Sequence, residues 1–481
     1  MKRFVSILLA LCVAAAANAE NLRLPHIFSE HMVLQRNTTL PVWGWGEPGK
    51  TVSVGNTWNF RTVRTKVADD GTWRVEISTG DAGGPYRLSV NSGSSKLVIE
   101  DVMIGEVWIC SGQSNMEMPV GGFGFQEVEG AREAILDSPE TASSPRAFDI
   151  RTPKKTEPVD DVDAQWKYSG PGVTARTSAV AYFFGKRLTK ALGVPVGIIV
   201  NAWGGSRIEP WMTNEAINAS GITAEERAAI DAIQEQPDRW PETPELIWNG
   251  RVAPIVGYAA KGFLWYQGCS NIGQDCYDKL QSQMVKFWRE EWGRGDMPFI
   301  FALLAPYEHG DADGRWRPHF VEAQLRSLKT TPNSYAVSLE TLGDKVTIHP
   351  RKKKEVADMM FLRALSSVYG MDAGMTVDYP EPRSIEFLED GRVKVLLTNV
   401  WSNLMSITAR DITGFELAGE DREFHLADAQ VDWDGNTIYV KCEDVPHPVA
   451  VRYAFRNWMG ANMEKTPGIP VPPLRTDDWE Y

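Results

Sequence analysis

Metal-binding signatures are absent from this chain. It contains no CxxC and no HExxH, and its seven histidines are scattered, so neither a metal site nor a cofactor is expected. Cysteine is scarce. Of five, Cys12 lies in the N-terminal segment, which leaves Cys110, Cys269, Cys276 and Cys442. Cys269 and Cys276 are close enough for a short disulfide loop in an oxidising compartment, although sequence does not establish that bond. An excess of positive charge is also missing. The 50 basic residues are outnumbered by 63 acidic ones, for a net charge of −13, which argues against nucleic acid or an anionic membrane as partner. Past the N-terminus no apolar run is long enough to span a bilayer, and no internal repeat stands out.

What is present begins with MKRFVSILLALCVAAAANAE. Lys2 and Arg3 precede an apolar stretch from Phe4 to Ala17, and Ala17-Asn18-Ala19 is a small-residue cleavage site. Such a segment is expected to be a secretory signal covering residues 1–19, leaving an exported, soluble product that starts near Glu20. Residues 20–100 then read as short strands between turns, for example TLPVWGWGEPGKTVSV and GTWRVEIST, the spacing of a β-sandwich or barrel. Eighteen tryptophans suit sugar stacking and core packing alike.

Residues 101–376 change character. The apolar runs VWIC, VGIIVNAW, GFLWYQG, PFIFALL and YAVSLET alternate with helix-period stretches. In one of these Val180, Phe183, Phe184 and Ala191 share a face and Gly193 is the stop. In another Val356, Met359, Met360 and Ala364 do so. Strands alternating with helices predict an α/β domain around a parallel sheet covered on both sides, with functional residues in the loops beyond the strands' carboxyl ends. From residue 377 to 481 alternation returns, with hairpin turns at Glu389-Asp390-Gly391 and Trp433-Asp434-Gly435-Asn436, and predicts a second β-domain.

Four segments follow predicted core strands: Gly112-Gln113-Ser114-Asn115, Trp203-Gly204-Gly205-Ser206, Gln267-Gly268-Cys269-Ser270-Asn271, and LGDKVTIHP with Asp344 and His349. Hydrolysis of an ester by serine needs a hydroxyl, a base and donors for the developing oxyanion. Ser114 offers the hydroxyl and His349 the base, with Pro350 suited to the first turn of a following helix. Gly205 can bring a backbone N–H close, and Gln267 or Asn271 can add a side-chain amide. The same glycines are also ordinary turn residues, and His349 an ordinary residue before a helix.

Read in order, GEVWICSGQSNMEMPV, NAWGGSRIEPWM, WNGRVAPIVGYAAKGFLWYQGCSN, HPRKKKEVADMM and PPLRTDDW resemble the signature segments of the sialate O-acetylesterases, a branch of the SGNH hydrolase superfamily. The resemblance implies a flavodoxin-like SGNH hydrolase core flanked by N- and C-terminal β-sandwich-like domains, and an exported serine acetylesterase acting on O-acetylated carbohydrates. It also implies Ser114 as nucleophile, His349 as base, and Gly205 with Gln267 or Asn271 as oxyanion donors. Two positions depart from the family's pattern. Cys269 stands where relatives commonly have Glu, and Thr347 where they have Asp. Asp344, five residues before His349, is then the expected third member of the triad, with a Ser-His dyad as the other possibility. Arg207 and Trp211 are expected near the substrate, Arg207 facing either a sugar carboxylate or Glu209. Sialic acids, acetylated xylan and other plant glycans remain candidate substrates, and a sugar-binding protein with impaired catalysis is the reading from another class.

Overall fold

A computed structural model describes residues 22–139, 144–233, 241–372, 374–400, 404–406 and 411–479. The expected signal segment lies outside them. The centre of the molecule is a seven-stranded sheet made of β1 (Ser95–Gly112), β2 (Arg146–Asp149), β3 (Trp166–Lys167), β4 (Val196–Ala202), β5 (Gly262–Tyr266), β6 (Phe299–Ala302) and β7 (Ser334–Val337). Its order is β7-β6-β5-β1-β4-β2-β3, parallel except for the edge strand β3, which runs antiparallel to β2. The fold is thus a mixed α/β one whose sheet is mixed, where the sequence predicts a parallel sheet; the difference is the short antiparallel edge strand.

Every residue of β4 and β5 is buried, as expected of strands covered on both faces, where apolar runs replace alternation. On one face Ile198, Val200, Leu264 and Ile300 pack under α2 (Ala179–Leu192) and α5 (Lys353–Ser367) through Val180, Phe184, Val356 and Met360. On the other, Ile199, Phe263, Trp265 and Phe301 meet α3 (Tyr277–Trp292) and α4 (Trp316–Ser327) through Leu280, Met284, Trp288 and Phe320. Helix α2 is bounded as its sequence dictates. Ser178 caps its start by accepting the Ala181 N–H at 3.2 Å, and Gly193 ends it at φ 65°. Ala191, expected on the buried face, is exposed on the last turn.

The first β-region is continuous with this core. Its strands Thr51–Asn56, Thr62–Lys66 and Gly83–Ser92 form an antiparallel sheet that pairs with the first half of β1. The second half of β1 runs on between β4 and β5. A boundary at residue 100/101 therefore falls inside one strand. At the other end, seven strands between Glu381 and Arg475 make an antiparallel sheet with its own core around Val395, Phe415, Ile438 and Val451. Both expected hairpin turns join adjacent strands of it.

One buried arginine ties that sheet to the α/β core. Arg317, at the start of α4, reaches Glu340 at 2.8 Å and donates to the carbonyls of Ala454 and Arg456 at 3.0 and 3.1 Å. Burial pushes the Glu340 carboxyl up, and Arg317 opposes this. Removing one partner of such a pair leaves an uncompensated buried charge. Arg317→Met should therefore lower unfolding free energy by about 3–5 kcal/mol, read by urea denaturation. An unchanged midpoint would show that the two regions hold together without it.

Candidate active site

Three strand ends are level. Gly112 of β1 sits in register between Ala202 of β4 and Tyr266 of β5, so the loops after these strands open at one place on the sheet edge. Gly112 has φ 138°, and a Cβ there would lie 2.2 Å from the Tyr266 carbonyl oxygen; no other residue fits. The chain then turns, Gln113 Oε1 accepts the Gly268 N–H at 2.9 Å, and Ser114 begins the short helix α1 (Ser114–Glu117).

The Ser114 Oγ lies 2.8 Å from His349 Nε2. His349 comes from the loop between β7 and α5, so the two residues meet only because the sheet aligns the loops. Its other nitrogen, Nδ1, is 2.7 Å from the side-chain oxygen of Gln126. The Gln126 amide nitrogen donates to Thr347 Oγ1 at 3.0 Å, and the same hydroxyl accepts the His349 N–H at 3.1 Å. An oxygen acceptor at Nδ1 puts the proton there and leaves the Nε2 lone pair facing Ser114. Phe123 packs its ring edge to face against His349, with centroids 5.5 Å apart. Burial, with a smaller contribution from Lys353, lowers the His349 pKa to about 4, so the imidazole is neutral above that pH.

The expectation for Asp344 is corrected by this geometry. Its Oδ1 accepts the N–H groups of Val346 and Thr347 at 2.9 and 3.2 Å, folding its own loop. A short acidic side chain bonded to the backbone two and three residues on is a turn-former. Gln126 takes the place beside Nδ1.

The two amides expected at the oxyanion are also committed elsewhere. Gln267, fully buried, donates to Ser206 O at 3.1 Å and Asn271 Oδ1 at 2.7 Å, and accepts from the Tyr277 hydroxyl at 2.6 Å. Asn271 donates to Glu209 and Gln274 and accepts the Ile208 N–H at 3.0 Å. With both N–H bonds of each amide used, neither faces Ser114. They brace the loop instead. Arg207 belongs to the same network through Glu209, Gln274 and the Ser270 carbonyl. Trp211 is wholly buried against Trp265 and Trp288. Both expected substrate contacts are thereby corrected to structural ones, and Arg207 takes the Glu209 alternative.

Gly204 does approach the nucleophile. A Cβ on Gly204 would stand 3.4 Å from Ser114 Cβ and 2.7 Å from Glu117 Oε2. The Gly204 N–H donates to that carboxylate oxygen at 2.7 Å, while Gly205, at φ 70°, accepts the Ser270 hydroxyl at 3.0 Å. The Gly205 N–H has no acceptor among the described residues.

Behind the pair, Lys353 is fully buried. It donates to Asn115 Oδ1, and the Asn115 amide donates to the Ile348 carbonyl at 3.0 Å, so this clamp joins the serine segment to the histidine segment. Burial lowers the Lys353 pKa to about 7 and raises that of the neighbouring Cys269 thiol to about 12. Cys269 and Cys276 are both free thiols, so the disulfide considered from their spacing does not form. Sequence reasoning missed Gln126, Glu117, Asn115 and Lys353. Asn115 and Glu117 flank Ser114 in the motif itself and were findable there. Gln126, in GGFGFQ, carried no signal.

If Gln267 braces the loop, Gln267→Ala leaves the Ser206 carbonyl, Asn271 and the Tyr277 hydroxyl buried without this partner. Stability should fall by about 2–3 kcal/mol, measured by urea denaturation. Wild-type stability would mean that the network closes up without it.

Comparison with known proteins gives the family. Residues 104–365 match the family model described as carbohydrate esterase, sialic acid-specific acetylesterase. The sialate O-acetylesterase of Homo sapiens is 29% identical over 475 residues, covering 91% of this chain and 88% of that protein. That of Mus musculus is 27% identical over 515 residues, covering 95% and 93%. Among solved structures, a carbohydrate acetylesterase from Xanthomonas citri superposes with a TM-score of 0.84 at 29% identity, covering 95% of this chain and all of that one. The chain belongs to the sialic acid-specific acetylesterase family of carbohydrate esterases, and is a carboxylic ester hydrolase.

Proposed function

We propose that this protein is an exported serine O-acetylesterase that removes acetyl groups from sialic acids, on a flavodoxin-like SGNH core. The observation that carries the reading is the 2.8 Å contact between Ser114 Oγ and His349 Nε2, with Gln126 accepting at Nδ1. The substrate class rests on the names of the family and its relatives. Export rests on the N-terminal segment. Among the described residues no helix is long and apolar enough to cross a membrane.

In this mechanism His349 Nε2 takes the hydroxyl proton as Ser114 Oγ attacks the acetyl carbonyl. The carbonyl oxygen becomes an oxyanion, which the Gly205 N–H is free to meet. Collapse expels the sugar oxygen, to which His349 returns the proton, and leaves an acetyl group on Ser114. Water activated by His349 then attacks this ester, releasing acetate and restoring the serine. Gln126 holds the tautomer throughout but, being neutral, supports the imidazolium by hydrogen bonding alone. The likeness to the carbohydrate acetylesterase from Xanthomonas citri favours a broader second reading in which other acetylated glycans are substrates.

Ser114→Ala and His349→Ala should each lower kcat on an O-acetylated sialic acid by roughly a thousand-fold or more, with the circular dichroism spectrum unchanged. Retained activity in a pure variant would move the nucleophile elsewhere.

The pH profile tests the neutral partner. General-base catalysis needs unprotonated imidazole, so kcat/KM should rise with pH through the His349 pKa, about 4. In Gln126→Glu a carboxylate beside Nδ1 favours the protonated ring. The acid limb should then move up by about one to three pH units. A limb that stays in place would show that residue 126 does not set the base.

A further inference from the structure

Arg207, the cation that the sequence offers for a sugar carboxylate, is occupied by Glu209, Gln274 and the Ser270 carbonyl. Another arginine is differently placed. Arg151 follows β2, the strand next to β4 in the sheet, so it emerges beside the loop that carries Gly204 and Gly205. A short chain of contacts connects it to the nucleophile. The Arg151 Nη1 is 3.8 Å from Glu117 Oε1, the other oxygen of Glu117 holds the Gly204 N–H at 2.7 Å, and Gly204 abuts Ser114. Half of the Arg151 side chain remains exposed.

That exposed part faces a crevice of about 600 Å³ between the β2–β3 edge of the sheet and the segment after α1. Lys167, on β3, and Arg176 line it as well. Neither makes a salt bridge or side-chain hydrogen bond with any described residue, although the Lys167 charge acts on Asp149 and opposes the rise that burial gives its carboxyl. Two acids share the lining. Asp149 is already bonded to Arg151 at 2.5 Å, and Asp163 stands at the exposed rim. Three cations and two acids line it, and Arg151 is also paired with Glu117, which leaves Lys167 and Arg176 outside any ion pair among the described residues. Pro119 and Val173 add apolar surface to the same wall.

We propose that this crevice is the subsite for the sugar, and that Arg151, supported by Lys167 and Arg176, receives the carboxylate of an acidic sugar whose acetyl ester lies at Ser114. The inference rests on the sialate reading above and adds to it the residues that select for acid. A planar guanidinium suits a carboxylate through paired N–H donors. The apolar wall suits the C–H face of a sugar or the methyl of an N-acetyl group. Glu117 and Gly204 link Arg151 to Ser114 through successive contacts, which places the carboxylate site beside the ester site.

The test compares three esters on the wild type, Arg151→Gln and Lys167→Gln. These are O-acetylated N-acetylneuraminic acid, an O-acetylated neutral hexose, and 4-nitrophenyl acetate. Losing a charge-assisted contact should lower kcat/KM on the acidic sugar roughly ten- to a hundred-fold for Arg151→Gln, mostly through KM. Rates on the two neutral esters should fall much less, so that the preference for the acidic sugar over the neutral hexose drops by about ten-fold or more. Free N-acetylneuraminic acid should also inhibit hydrolysis of 4-nitrophenyl acetate competitively in the wild type, and lose that inhibition in Arg151→Gln. A wild type that prefers the acidic sugar while both variants keep the preference would overturn the crevice and leave the sialate reading standing. A wild type that acts on the neutral hexose but neither cleaves the acetylated acid nor is inhibited by the free one would overturn both.

Discussion

The arrangement depends on one close approach. Gly112 ends β1 against the Tyr266 carbonyl with no room for a Cβ, and at that point three parallel strands are in register. The chain can then turn without leaving the sheet edge. Gln113 takes the Gly268 N–H, Ser114 is displayed, and the Trp203–Ser206 loop closes on it from the far side. A side chain at 112 would separate β1 from β5 exactly where nucleophile and bracing loop are joined. The glycine is therefore a condition of the site's geometry as well as of the strand's end.

Around that edge the charges are arranged to keep His349 neutral. Its immediate partners are a hydroxyl and an amide, and the nearest influence with a charge is Lys353, which disfavours imidazolium. A carboxylate at Nδ1 would fix the tautomer and also support the charged ring. Gln126 fixes the tautomer only. The base is therefore available at low pH, and imidazolium formation in the transition state has less electrostatic support. The clamp through Asn115, Lys353 and Ile348 compensates in a different way, by fixing the serine and histidine segments to each other.

The loop after β5 shows how buried amides can be mistaken for catalytic ones. Gln267 and Asn271 lie within a few residues of the site in sequence, yet each donor of each amide is satisfied inside the fold. With Glu209, Arg207 and Gln274 they form a network that rigidifies the floor beneath Gly205. Buried polar networks are stable when every member is satisfied, and here that requirement leaves neither Gln267 nor Asn271 a donor for a substrate. Among the described residues the Gly205 N–H is without an acceptor, and this glycine is held by Ser270 through its carbonyl and follows a Gly204 N–H held by Glu117.

The alternation of apolar runs with helix-period stretches was enough to read an α/β centre between two β-regions, because burial on two faces and burial on one leave different periods in a chain. The residues after each strand were legible for a similar reason. Ser114, Gly205 and His349 are near strand ends, and a parallel sheet gathers those ends along one edge. Local sequence could not decide what faces His349. Asp344 is five residues away along the chain, but its carboxylate satisfies the N–H groups of its own turn. Gln126 is 223 residues away and arrives through a Gly- and Phe-rich loop with no periodicity. The fate of Gln267, Asn271 and Arg207 was hidden for the same reason, since an amide or guanidinium shows its type in sequence but not its partners. The sequence determined which strands end together and which chemical groups they carry; only the tertiary structure decided which hydrogen bonds were already taken, because those partners come from distant segments.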